Sequence, residues 1–126
     1  PTQALDNLIA SAKYLKEKYG LKIRLNSNGL SDLINGKETA KLLDGVVDSI
    51  SISLNAPNAK RYQEVSRSRF GEDAYPALLK FAADCKKYIP KVKFTVVDVI
   101  SKEEIDECRK IADDMGIPLR VREWIK

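Results

Sequence analysis

The sequence predicts an α/β fold of parallel βα repeats. Three observations carry this. Some segments place apolar residues at helical spacing, while others alternate or run rich in β-branched side chains. The two kinds follow one another in the order α-β-α-β-α-β-α-β. Each strand-like run breaks into polar residues at its carboxyl end. Strands alternating with helices imply parallel pairing through right-handed crossovers. Four such strands fit an open sheet or one half of an eight-stranded (β/α) barrel.

The elements follow in order. Over residues 3–19, Leu5, Leu8, Ile9, Ala12, Leu15 and Tyr19 recur at helical spacing, with Thr2 as N-cap and Gly20 as the stop signal. Residues 21–25 read as a short strand. Residues 33–43 are weakly helical, interrupted at Asn35-Gly36. Residues 46–54 form a second strand: Val47, Ser49, Ser51 and Ser53 share one face, and Ile50, Ile52 and Leu54 the other. A covered parallel sheet has two apolar faces. A serine row is therefore a place for a ligand. Residues 55–72 read as a loop around Pro57, Asn58 and Gly71, before a helix over 73–88 striped with Ala77, Leu78, Phe81, Ala82 and Cys85. A β-branched third strand spans 92–100. Ser101 and Glu104 form a capping-box pattern for a helix ending at Met115-Gly116. The last strand covers 119–124.

Composition narrows the function. The chain has 126 residues, enough for one domain, and 44% apolar residues, enough for a core. No apolar run approaches the roughly 20 residues that cross a bilayer, and no basic-then-apolar leader opens the sequence. The chain starts at Pro1 inside a helical pattern, as expected of a piece of something longer or of a processed product. Histidine is absent, which removes the commonest metal ligand and general base. The two cysteines, Cys85 and Cys108, lie far apart without metal-ligand spacing and read as buried thiols of a cytoplasmic protein. No nucleophile-base pair and no dinucleotide or phosphate-loop glycine pattern is evident, so chemistry would come from a cofactor. The net charge of +4 is spread along helices. Only Arg61, Arg67 and Arg69, flanked by Tyr62 and Phe70, cluster in a way that suits RNA.

The candidate site residues lie at strand ends, where βα folds bind ligands. Asn26, Ser27 and Asn28 lead into Gly29, and their amides and hydroxyl suit a polar ligand or a simple turn. Ser53 and Asn55, two residues apart, could bridge the vicinal hydroxyls of a ribose; Asn55 could equally cap the loop before Pro57. Asp98 could accept from a ligand or cap the helix that follows. Arg120 and Arg122 share one strand face, and Arg122 could instead pair with Glu123 on the surface.

These segments together resemble a family. Ile23 to Gly29 is similar to the "NTNG" strand end of radical S-adenosylmethionine (SAM) enzymes, and "DSISISLN" (residues 48–55) resembles the next strand of that family, which carries its ribose contacts. The runs "SLNAPNAKRYQEVSRSRFG", "VKFTVVDV" and "LRVRE" are similar to the subgroup related to activating enzymes and linked to TatD-type hydrolases. The resemblance covers nearly all of the chain. It implies strands three to six of a partial (β/α)6 TIM-like barrel. Ser53 and Asn55 would then face the ribose, Asn26 and Ser27 the ligand, and the ends of the last two strands, with Asp98 and Arg122, the adenine and substrate side. The complete family cleaves SAM reductively at a 4Fe-4S cluster to make an adenosyl radical. The CxxxCxxC loop that holds the cluster and the GGEP-like strand end are both missing from this sequence. The implied partner is thus the N-terminal half of the barrel, and this chain alone would be inactive. Self-association through the bared edge at residues 21–25 is expected. A stand-alone α/β module binding a nucleotide or peptide is the competing expectation, with RNA binding through the Arg61–Arg69 loop as another.

Overall fold

The computed structural model describes residues 2–123. The fold is α/β, with a four-stranded, all-parallel sheet in the order β1-β2-β3-β4. The strands are β1 (Arg24–Ser27), β2 (Ser49–Ser53), β3 (Lys91–Val97) and β4 (Leu119–Arg122). The helices are α1 (Thr2–Tyr19), α2 (Ser31–Asn35), α3 (Ala59–Ser66), α4 (Ala74–Tyr88) and α5 (Lys102–Met115). Short 3-10 turns at Ala40–Leu43 and Gly71–Asp73 complete the connections.

The core lies between the helices and one face of the sheet. Ile50 and Ile52 of β2 and Phe94 and Val96 of β3 are fully buried there, against Leu78, Phe81, Ala82 and Cys85 of α4 and Cys108 and Ala112 of α5. Each of these helices carries a narrow apolar stripe and a charged outer face, as amphipathic helices must. Ser101 caps α5 with the full capping box: its side chain accepts from the Glu104 N–H, and the Glu104 carboxylate accepts from the Ser101 N–H.

Four expectations need correcting. The first strand does not run over residues 21–25 but starts at Arg24 and takes in Asn26 and Ser27. The reason is nonlocal. Asp48 accepts from the Ile23 N–H at 2.6 Å and from Lys16 Nζ at 2.7 Å, pinning the chain at Ile23 and setting the register Arg24 to Ser49. The exposed edge is therefore Arg24–Ser27, since β1 is the outermost strand on its side among the described residues. Residues 55–72 are not one loop: Asn58, read as a loop signal, is the N-cap of α3 and accepts from the Arg61 N–H. The second strand begins only at Ser49, and Val47 is buried ahead of it instead of extending the serine row. The third strand stops at Val97, and Asp98 and Val99 turn toward α5. The expected Thr2 cap and the far end of the last strand, Trp124, lie outside the described side chains.

Candidate functional site

Successive side chains on a strand point to opposite faces, so the register sorts the sheet into two surfaces. One carries the buried aliphatic and aromatic residues. The other carries Arg24, Ser49 and Lys91 in a first row, Asn26, Ser51 and Lys93 in a second, and Ser53, Thr95 and Arg120 in a third, with Arg122 beyond them. This polar face forms a trough. Toward the carboxyl ends of the strands the second and third rows and Arg122 line a hollow of about 260 Å³. A wider opening of about 930 Å³ lies toward the amino ends, between the Lys22, Asp48, Lys86 and Pro118 regions. Ligand chemistry in βα folds sits at the carboxyl ends, whereas the amino ends serve stability. The smaller hollow is therefore the candidate site.

The structure separates the expected site residues into two groups. Asn26, Ser53 and Arg122 all line the hollow. Ser27 does not: it stands in register with Ile52 on the helix side, and its hydroxyl accepts from the Gly29 N–H at 2.9 Å. Asn28 is likewise engaged locally, its side-chain oxygen accepting from the Leu30 N–H at 3.0 Å. The two side chains thus shape the turn. Gly29 is required there, because its φ is +78° and a Cβ would lie 2.7 Å from the Leu78 Cβ of α4. Asp98 sits in the turn after β3, its N–H donating to the Arg122 carbonyl at 3.0 Å, while the helix cap that it was expected to form belongs to Ser101.

Asn55 is held at the carboxyl rim in a left-handed conformation, φ 61°. Asn tolerates this region better than most residues, yet it remains a strained choice. The surroundings enforce it. The Leu54 N–H donates to the Thr95 carbonyl at 2.8 Å, and the buried Tyr75 hydroxyl donates to the Ala56 carbonyl at 2.8 Å. Burial pushes the Tyr75 phenol well above its usual range, so it stays a neutral donor. Ser53 thus lines the hollow, whereas Asn55 lies past the end of β2 with a left-handed backbone and is not among the lining residues, so strand alternation does not set the two side chains on one side as expected.

Lys93 and Thr95 also line the hollow and were not singled out from the sequence. The signal was present: Lys91, Lys93 and Thr95 alternate with Val92, Phe94 and Val96 across β3. The arginine cluster behaves differently. Arg61 Nε donates to Glu104 at 2.8 Å, and Arg69 stacks on Phe70 at 4.8 Å from the ring centre. Arg67 is the left-handed C-cap of α3. The Glu104 carboxyl is held below its usual value, first by the Ser101 N–H and then by side-chain bonds from Ser101 and Arg61. Two of the three arginines are thus engaged within the fold.

The cysteines face the helix layer. Burial pushes the Cys85 and Cys108 thiols up to about 12, with nearby carboxylates adding to the effect. Both thiols are buried and stay protonated. Among the described residues, no three His, Cys, Asp or Glu side chains gather as a metal site. Two cysteines are too few for the four thiolates that hold an iron-sulfur cluster. No described helix is long and apolar enough to cross a membrane. No protein-family model matches the chain, and no curated protein or solved structure matches it either.

Proposed function

We propose that the chain is the nucleoside-facing part of a radical SAM enzyme, contributing strands three to six of a partial (β/α)6 barrel. The observation that supports this reading is the one-sided sheet. A parallel sheet whose helices pack on one face, with a polar opposite face, matches the wall of a barrel with a solvated, ligand-holding interior. Ser53 and Asn55 at its rim offer a hydroxyl and an amide to the ribose of SAM, and Asn26 adds a second amide from the neighbouring side of the trough. When complete, such an enzyme draws its redox chemistry from a 4Fe-4S cluster held by a partner segment. The part of this chain in that reading is to bind and orient the nucleoside.

The test is a heteronuclear NMR titration of the chain with SAM in the millimolar range. Shifts centred on Ser53, Leu54 and Asn55, and lost in Ser53→Val, support the reading. Shifts absent from these residues overturn it. Adenosine alone reproducing the full response would favour the stand-alone nucleotide module instead.

A further inference from the structure

We propose that the trough contains a separate subsite for an anionic group of the substrate, a phosphoryl or carboxylate, gripped by Lys93, Arg120 and Arg122. This rests on the polar face being the ligand face, but not on the nucleoside being that of SAM.

The three cations converge from two adjacent strands. Thr95 is in register with Arg120, and Val97 with Arg122, so Lys93 lies one row below Arg120 on the neighbouring strand. All three line the same 260 Å³ hollow, whose other lining side chains are Asn26, Ser51, Ser53 and Thr95, every one an uncharged hydrogen-bonding group. No carboxylate shares that lining among the described residues. Elsewhere several cations meet carboxylates: Lys16 meets Asp48, Arg61 meets Glu104, and Lys80 meets Glu38 and Asp84. Like charges on neighbouring strands repel. Three of them facing one concavity lined only by neutral donors and acceptors make a positive focus that an anion would relieve.

The chemistry selects the class of ligand. Guanidinium groups offer paired N–H donors that match the two oxygens of a carboxylate or a phosphoryl group, and the lysine adds a point charge. The hydroxyls of Ser53 and Thr95 supply further donors. The hollow is smaller than a typical pocket for a whole drug-sized molecule, about 300–1,000 Å³, so it suits a charged group rather than an entire ligand. Single-stranded nucleic acid would want aromatic stacking surfaces, and none lines it among the described residues. The occupant is thus the acidic group of a small substrate.

The experiment titrates the chain with inorganic pyrophosphate and, separately, with citrate, followed by NMR. Either anion should shift Ser53, Thr95 and Arg120, and salt should weaken the binding. The arm that binds more tightly distinguishes phosphoryl from carboxylate. Lys93→Gln with Arg120→Gln should raise the dissociation constant at least about tenfold, a value expected for loss of charge-assisted bonds. Arg122→Gln alone, at the exposed strand end, guards against misfolding of the double variant and should give a smaller loss of the same sign. Arg67→Gln should change nothing. Unchanged anion affinity in both trough variants, or shifts centred on Arg67 to Phe70, would sink the proposal. So would a uridine oligonucleotide that displaces pyrophosphate by spreading its shifts outside the trough. Anion binding that survives while SAM fails to bind defeats only the SAM reading; the reverse defeats only this subsite.

Discussion

On one face of the sheet Ile50, Ile52, Phe94 and Val96 lie sealed beneath helices; on the other, one residue away along the same strands, stand Ser51, Ser53, Lys93 and Thr95. The two surfaces share a backbone and differ in everything else. The first holds the molecule together through burial of apolar area. The second carries like charges with no carboxylate in the lining of its hollow among the described residues, and a strained asparagine and a buried tyrosine lie just past the end of β2. The division teaches that a sealed apolar surface and an open polar, cationic one can be assigned to alternate residues of the same short segments.

Substitutions on the two faces should therefore separate cleanly. Phe94→Ala should have the largest effect, a loss of about 3–5 kcal/mol in urea unfolding, as expected for emptying a fully buried aromatic site. Gly29→Ala should follow with about 3 kcal/mol, because the left-handed backbone and the contact with Leu78 both oppose a methyl group; a loss below about 1 kcal/mol would mean that α4 yields easily. Asp48→Asn tests the pin at the amino end. The bond from Lys16 and then the Ile23 N–H hold its carboxyl below the ordinary 3.8. A depressed carboxylate contributes stability above its unfolded value and loses it as pH falls through the folded one. The wild-type chain should therefore weaken below about pH 4, and the Asn variant should be weaker at neutral pH with a flatter acid limb in pH-dependent melting. Ser51→Ala, in the middle of the polar face, should move stability by no more than about 0.5 kcal/mol. A loss as large as that of Phe94→Ala would erase the contrast between the faces.

Much of this was legible locally. The alternation of the four strands with α1, α2, α4 and α5, the serine row of β2, the capping box of Ser101 and Glu104, and the stop at Gly116 each depend on residues within a few positions of one another. What escaped was set at a distance. The start of β1 is fixed by Asp48, 25 residues away from Ile23, and no pattern within residues 21–25 reveals it. Asn58 and Pro57 look like loop residues, yet Asn58 starts a helix, because the same amide that favours turns also caps. The candidate site was half visible. Asn26, Ser53 and Arg122 were read from polar strand ends, while Ser27 and Asn28 carry the same side-chain chemistry but spend it on the turn that Gly29 needs. Lys93 hid within a strand whose β-branched residues drew attention to its other face.

One carboxylate of α5 has a mechanical consequence. Glu104 accepts from the Ser101 N–H through one oxygen and from Arg61 through the other, so it clasps the connection after β2 to the connection after β3. These segments follow separate strands, and a displacement of either must be transmitted to its neighbour or break the clasp. The two helix starts should thus move as a single panel, with amide exchange at the start of α3 and at the start of α5 slowing and quickening together.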